Sequence, residues 1–342
     1  MQLLNTLYVT TPDAYLRLDN DTLRVEVERE TKLRVPLHHL SAVVCFGHIG
    51  LSAPLMHRLA ADGIAMVLLD DNGRFKARLE GPVSGNVLLR QAQFQRVADP
   101  VFTLDIARAC VAGKIKNTRQ VLQRGARESK VDGEAATLAR VADDLAASLR
   151  ALPGAASLDV LRGIEGEAAR QYFGGLNLLV RADARDAFQM DGRTRRPPRD
   201  RFNALLSFLY SMLMNDCRSA LEAAGLDPQA GFLHALRPGR AALALDLMEE
   251  FRPWADRLAL TLINRNQLSA TDFVQREGGS VSLEPDARKA VVVAYQERKR
   301  EELSHPLLAQ AVPLGLAPLV QARLLARAVR DDAAPYVPFV SK

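Results

Sequence analysis

Three short stretches of this chain carry side chains able to do chemistry. They are Gly163-Ile164-Glu165-Gly166-Glu167-Ala168-Ala169-Arg170, the isolated His234, and Asp246-Leu247-Met248-Glu249-Glu250-Phe251-Arg252-Pro253. Glu165, His234 and Glu249 offer two carboxylates and one imidazole, a set that can hold a hard divalent cation and leave positions open for water or phosphate oxygen. Carboxylates and water suit Mn²⁺ or Mg²⁺, and the single imidazole favours manganese. Zinc would bring more His or Cys, and non-haem iron usually takes two His and one carboxylate. Such an ion would polarise a phosphoryl oxygen and lower the pKa of an attacking hydroxyl, either water or a 3′-hydroxyl of DNA. Each residue also has a plainer reading: Glu165 as a buried carboxylate paired with arginine, and His234 as a core imidazole bonded to a carbonyl.

The elements that must position these residues are helical. Glu165 falls in a helix beginning near Ser157, which can cap it, with Asp159 in the first turn. Glu167 points away from Glu165, toward solvent. Gly163 and Gly166 flank Glu165, and glycine inside a helix costs about 1 kcal/mol relative to alanine. Close approach of another backbone or of a ligand would explain both. Asp246 and Glu249 stand at i and i+3 on one helical face, Glu250 is turned outward, and Pro253 kinks or restarts the helix. The separation of His234 and Glu249 lets a hairpin-like return bring both to one point, and Glu165 would then have to arrive from another helix; the sequence does not show that the three converge.

Periodicity predicts an α+β chain: a small, mainly antiparallel β domain over residues 1–84, then an all-helical domain over 85–342. Strands are expected over 3–9, 15–18, 22–27, 32–36 and 42–46, then a helix over 52–62 capped by Ser52, and a hairpin of 64–69 and 74–79 around Asp71-Asn72-Gly73. The boundary falls between Gly81-Pro82 and Gly85. Beyond it, helices are expected over 87–97, 104–124, 133–151, 158–173, 200–224, 241–264 and 285–302. The tail after Asp331 reads as loosely ordered and His305 as a loop residue.

Composition narrows the class. With 48% hydrophobic and 25% charged residues, the chain is an ordinary folded protein rather than a disordered one. Met1 to Pro12 has no basic stretch followed by an apolar run, so no signal peptide is expected, and no apolar window suggests a membrane span. Cys45, Cys110 and Cys217 lack metal-ligand or disulfide spacing and read as reduced structural thiols, so the cytoplasm is the expected compartment. The net charge is +5, and residues 1–90 are balanced at ten basic and ten acidic side chains, so the excess lies wholly in 91–342. It gathers at Lys114, Lys116, Arg119, Arg124, Arg127 and Lys130, at Arg193, Arg195, Arg196, Arg199 and Arg201, and at Arg288, Lys289, Arg298, Lys299 and Arg300. Each is either a solvated helical face or part of a phosphate-binding surface; three in one half of the chain favour a polyanion such as DNA.

In this order the stretches resemble the universal CRISPR-associated integrase-nuclease of spacer acquisition, in texture closest to its I-C subtype. The resemblance covers nearly the whole chain. It rests on Gly163-Ile164-Glu165-Gly166, on the run from Asp200-Arg201-Phe202-Asn203 to Ser207-Phe208-Leu209-Tyr210, on Gly231-Phe232-Leu233-His234, and on Asp246 to Pro253. Val35 to Leu40 and Gly47 to Ser52 add the strand domain. The resemblance implies that Glu165, His234 and Glu249 are metal ligands and catalytic, with Asp246, Asn203, Ser207 and Tyr210 near the site. Lys114, Lys116, Arg119, Arg193, Arg195, Arg196 and Arg252 are the expected DNA contacts. It also implies a homodimer formed through the strand domain and a small ferredoxin-like adaptation subunit as partner. The substrate is a short duplex with 3′ overhangs, inserted at a CRISPR leader–repeat junction by 3′-hydroxyl attack on a repeat phosphodiester. Two other readings remain: a hydrolytic metal-dependent nuclease acting on branched or repair DNA, and a non-catalytic DNA-binding scaffold. Trp254, Tyr172 and Tyr295 are expected in the core, with base stacking as the other use of such rings.

Overall fold

The computed structural model describes residues 5–70, 73, 75–79, 81, 87–308, 310–330 and 335–341. The expected turn at Asp71-Asn72, most of the boundary after Gly81, and Asp331 to Ala334 therefore lie outside the described residues. The chain divides into two compact units, residues 1–85 with 283–293, and residues 86–282 with 294–342.

The first unit is built from strands β1 (Asn5–Val9), β2 (Tyr15–Asp19), β3 (Thr22–Val27), β4 (Glu30–Pro36), β5 (Leu40–Phe46), β6 (Gly50–Leu51), β7 (Ala65–Leu69) and β8 (Phe75–Leu79), with helix α1 (Ala53–Ala61) between β6 and β7. They form two four-stranded sheets, ordered β1-β5-β7-β8 and β4-β3-β2-β6. Alternation along β3 turns Leu23 and Val25 inward, and they join Leu16, Leu37, Val43, Leu55, Leu59 and Met66 in one apolar core. Ser52 caps α1 by accepting from Leu55 N. The pairing is more mixed than the sequence suggests: β1 and β7 both run parallel to β5, and β2 runs parallel to β6. The physical reason is visible in β5, a nearly continuous apolar run buried along most of its length, as a strand flanked by parallel neighbours is.

The second unit is mostly helical: α2 (Val87–Ala98), α3 (Pro100–Glu128), α4 (Asp132–Ala151), α5 (Leu158–Leu176), α6 (Ala182–Phe188), α7 (Arg201–Ala223), α8 (Ala242–Glu249), α9 (Arg252–Asn264), the later part of α10 (Pro285–Arg300), and α11 (Ala317–Val329). Short strands β9 (Phe273–Gln275), β10 (Val281–Leu283), β11 (Glu302–Ser304) and β12 (Ala311–Pro313) make two small ribbons. Asp99 starts α3 by accepting from Val101 N and Phe102 N, with Pro100 in the first turn, where its missing N–H costs nothing. Ser157 caps α5 and Asp200 caps α7 in the same way. Pro253 splits the helix expected over 241–264 into α8 and α9, leaving Glu250 and Phe251 as a corner.

Several expectations are corrected here. Glu250 is not outside but 1% exposed, and burial pushes its carboxyl up to about 7 against the pull of Tyr336 and the Phe339 N–H. Residues 335–341 are packed, with Tyr336 and Phe339 buried. His305 lies in a loop, as expected, and is buried against Gln321. In the cluster at 288–300, Arg288 and Lys299 are buried, Lys299 on Asp216 at 2.9 Å, and Arg298 is tied to Glu301, while Lys289 and Arg300 are exposed. Gly163 and Gly166 are not explained by backbone approach, because a Cβ at either would meet nothing within 4 Å. The three cysteines are free and buried, and burial alone raises the Cys45 thiol to about 12. Tyr172 and Tyr295 are core residues, and Glu167 is exposed and paired with Arg170. Among the described residues no helix is long and apolar enough to cross a membrane.

Candidate active site

His234 is held by the helix that follows it. Asp246 lies on α8, fully buried, and its two oxygens collect four bonds from the preceding loop. Oδ2 accepts from Phe232 N at 2.6 Å and Leu233 N at 2.9 Å, while Oδ1 accepts from His234 N at 2.9 Å and meets His234 Nδ1 at 2.6 Å. Gly231 lets this loop press onto α8: a Cβ there would stand 2.7 Å from the Leu243 nitrogen. From α5, Arg162 donates twice to the Leu233 carbonyl, at 3.0 and 2.6 Å. Because a carboxylate oxygen accepts, Nδ1 of His234 carries a hydrogen, and Nε2 faces the cleft. A carboxylate behind the ring, with the far nitrogen free, is the arrangement that orients metal-binding histidines.

Glu249 closes α8 facing the same cleft, with Oε1 at 3.9 Å from His234 Nε2. Its side chain is 5% exposed, and Oε2 has Lys114 Nζ at 2.7 Å and Arg252 Nε at 2.9 Å. Burial pushes the Glu249 carboxyl up, but Arg252 and Lys114 outweigh it and hold it at about 2. Glu165 arrives from α5, and its Oε1 takes the other side of the Lys114 ammonium. Lys114 on α3 thus stands between the two carboxylates. Its own burial pulls the ammonium pKa down, yet Glu249 and Glu165 more than compensate and raise it.

As they stand, no three His, Cys, Asp or Glu side chains among the described residues are gathered tightly enough to bind an ion. The donor set nevertheless fits a divalent cation on three counts. The Lys114 ammonium already occupies the point shared by Glu165 and Glu249. Oε2 of Glu249 is buried and already draws two cationic groups, Lys114 Nζ at 2.7 Å and Arg252 Nε at 2.9 Å. His234 keeps Nε2 free on the same cleft.

The cleft has a volume of about 850 Å³ and is lined by Glu165, His234, Glu249, Lys114, Arg252 and a ring of further cations, among them Arg162, Arg193, Arg195, Arg237 and Arg240. Arg193 is fixed by α7: it donates to Asn203 Oδ1 at 2.6 Å and Ser207 Oγ at 3.1 Å. Asn203 also accepts from Thr194 N and donates to Gly192 O, so it anchors the whole loop that carries Arg193. Tyr210 lies under two guanidinium groups, Arg252 at 4.6 Å and Arg193 at 5.4 Å from its ring centre. Its hydroxyl donates to Asp256 Oδ1 at 2.5 Å, and Tyr172 donates to Asp256 Oδ2 at 3.0 Å. Burial raises the Asp256 carboxyl to about 6, opposed by those two phenols and by Arg252.

The structure therefore brings Glu165, His234, Glu249, Asp246, Asn203, Ser207, Tyr210, Lys114, Arg193, Arg195 and Arg252 to one cleft or its wall. It does not bring Lys116, Arg119 or Arg196 there. On α3 the cleft face is Lys114 and Thr118; Lys116 is exposed, and Arg119 turns to α4, donating to the Ala142 carbonyl. Helical periodicity turns those two side chains well away from Lys114. Arg196 is exposed outside the lining. Sequence reasoning missed Arg162 and Asp256. Each had a signal in helical spacing, Arg162 three residues before Glu165 and Asp256 four after Arg252.

Comparison with known proteins accords with this geometry. The family profile described as "CRISPR associated protein Cas1" matches residues 7–297. A relative from Moorella thermoacetica, named "CRISPR-associated endonuclease Cas1 1", is 56% identical over 339 residues, covering 99% of this chain and 98% of its own. A solved chain titled "Cas6-RT-Cas1--Cas2 complex" superposes with a TM-score of 0.84 at 26% identity, over 98% of this chain and 36% of that one. A structure titled "Casposase bound to integration product" shares the fold, with a TM-score of 0.83 at 21% identity over 98% of this chain and 93% of that one.

Proposed function

The chain belongs to the CRISPR-associated Cas1 family, and from that premise we propose that it integrates short DNA spacers into a CRISPR array by 3′-hydroxyl attack on a repeat phosphodiester. The observation that carries this reading is the arrival of Glu165, His234 and Glu249 from three separate elements on one cation-lined cleft, with Asp246 behind the imidazole. Glu165, His234 and Glu249 would hold Mn²⁺ or Mg²⁺. Such an ion supplies polarisation of a phosphoryl oxygen and activation of the attacking hydroxyl.

The remaining work is done by the chain itself. Asp246 fixes the His234 ring and its tautomer. Arg193, Arg195, Arg252, Arg237 and Arg240, which line the same cleft, bind backbone phosphates without reading sequence. Asn203 and Ser207 set the Arg193 fork, and the Tyr172–Asp256–Tyr210 group supports the aromatic face on which Arg193 and Arg252 rest. Lys114 supplies positive charge at the carboxylates and shares their cleft.

DNA with 3′ overhangs and the leader–repeat junction are the proposed substrates, and a small ferredoxin-like adaptation subunit the proposed partner; the Cas1–Cas2 title of a structural relative supports the partner. A homodimer through the strand unit completes the assembly. A second reading, hydrolytic cleavage, draws support from the endonuclease name of the Moorella relative. In a third, the scaffold, Glu165 and Glu249 merely pair with Lys114 and Arg252. The test is a joining assay with labelled 3′-hydroxyl duplex, a repeat-bearing plasmid, the partner subunit and Mn²⁺. Label transferred to plasmid by the wild type and absent with Glu165→Ala supports integration. Cutting without joining favours the hydrolase, and no reaction despite intact DNA binding favours the scaffold.

A further inference from the structure

The wall that carries the site has a second face. α3 and the corner between α8 and α9 present Lys114, Glu249 and Arg252 to the cleft, while Asn117, Glu250 and Phe251 face the other way. Residues 335–341 lie along that second face. Tyr336 donates its hydroxyl to Glu250 Oε1 at 2.5 Å, and Phe339 N donates to Glu250 Oε2 at 2.6 Å. Asn117 Nδ2 donates both to the Glu250 carbonyl at 2.8 Å and to the Phe339 carbonyl at 3.0 Å, and its Oδ1 accepts from Ser341 N at 2.9 Å. The Phe339 ring stacks on Phe251, with centres 5.0 Å apart and planes inclined by 20°. Pro338 lies against α3 where a Cβ at Gly113 would come within 2.9 Å of it.

We infer that residues 335–341 are a positioning strap for the candidate metal site, setting Glu249 and Arg252 through their neighbours Glu250 and Phe251. Tyr336, Phe339 and Asn117 are then positioning residues, although none of them lines the cleft. The inference rests on the reading of Glu249 as a metal ligand.

The physical argument starts from Glu250, which is 1% exposed. Its carboxylate has two strap donors, besides Gln321 Nε2 at 3.1 Å and a bond to Cys110. With the strap gone, a buried carboxylate would lose its two shortest donors, and a poorly satisfied buried charge relaxes toward water. Turning the corner is one way for Glu250 to do so. Glu249 precedes it and Arg252 follows two residues later, so the turn moves the two groups whose placement defines that side of the cleft. Ligand sets tolerate displacements of only about half an ångström before function suffers.

The experiment is Mn²⁺ binding to the full chain, followed by the electron paramagnetic resonance of free ion, together with the thermal unfolding midpoint. The double variant Tyr336→Phe with Phe339→Ala is compared with Leu221→Ala, a buried change at the far end of α7 that lowers stability without touching strap or cleft. The strap reading expects the double variant to bind Mn²⁺ about tenfold more weakly, while Leu221→Ala binds as the wild type does. Tyr336→Phe alone, which removes the bond to Glu250 and the one accepted from Gln321 Nε2, is expected to weaken binding two- to fivefold and carries the test if the double variant does not fold. Unchanged Mn²⁺ affinity in the strap variants overturns the inference, as does an equal loss in Leu221→Ala at a matched midpoint. Glu249→Ala is the separate control: if it binds Mn²⁺ like the wild type, the ligand reading itself fails and the strap has nothing to position.

Discussion

Replacing Asp246 by asparagine should damage stability and metal binding together, for one structural reason. Four donors converge on this fully buried carboxylate: the N–H groups of Phe232, Leu233 and His234, and His234 Nδ1. Asparagine keeps one acceptor oxygen, which can serve the Oδ2 pair. Its NH₂ then faces the His234 N–H and Nδ1–H, donor against donor. Hydrogen bonds to a charged acceptor contribute about 1.5–3 kcal/mol each, so losing two costs roughly 3–6 kcal/mol. In a helical unit of this size 1 kcal/mol corresponds to about 2–4 °C, which puts the fall in midpoint at roughly 6–24 °C. The imidazole also loses the partner that fixes its tautomer, and losing such a partner typically weakens metal affinity by about 10- to 100-fold. Calorimetric unfolding and Mn²⁺ titration of Asp246→Asn measure both quantities. A midpoint within about 2 °C of wild type with unchanged Mn²⁺ affinity would refute the reasoning, because it would mean the loop and the ring are held by something else.

Further predictions concern the groups around this pair. Lys114→Met leaves buried Glu249 with Arg252 as its remaining cation, so chemical denaturation of the metal-free protein should show a loss of about 3 kcal/mol; an unchanged midpoint would mean the bridge carries no weight. Asp256 has a folded pKa raised by burial from 3.8 to about 6, so between those values the folded state holds a proton that the unfolded state has released. Its contribution must therefore fall as pH rises through that window. Relative to Asp256→Asn, wild type should lose stability from pH 4 to pH 6.5 in urea titrations, and a rising difference would contradict the burial argument. Asn203→Ala frees the loop that carries Arg193, so duplex affinity measured by fluorescence anisotropy should fall severalfold while Mn²⁺ binding stays intact. Loss of Mn²⁺ binding in that variant would show that Asn203 serves the ligands instead.

How much of this was legible in the sequence differs from residue to residue. The two-part organisation followed from the change of period near residue 86, and Pro253 marked the break that places Glu249 and Arg252 on either side of a corner. The convergence of Glu165 with the other two side chains was not readable from spacing, since it depends on how α5 packs against α3 and α8; motif order supplied that expectation. Lys114 illustrates the limit of charge patterning. It reads as the first residue of a basic track, but helical rotation gives it a different face from Lys116 and Arg119, and only packing reveals two carboxylates there. α11 went unread, since no helix was expected past residue 302; Pro318 stands in its first turn, where proline starts a helix. The strap was invisible for a related reason: Tyr336 and Phe339 are isolated apolar residues without period, and their burial is decided by Glu250, some eighty residues earlier.

The central claim is that this cleft joins DNA ends by transesterification, and the end chemistry of the donor tests it most directly. A labelled duplex ending in a 3′-hydroxyl and the same duplex ending in 3′-deoxy would be incubated in parallel with protein, partner subunit, Mn²⁺ and a supercoiled repeat-bearing plasmid. The account predicts label joined to plasmid from the 3′-hydroxyl donor alone, with that product absent for Glu249→Ala. Plasmid cleavage at equal rates with either donor, and label joined from neither, would contradict it.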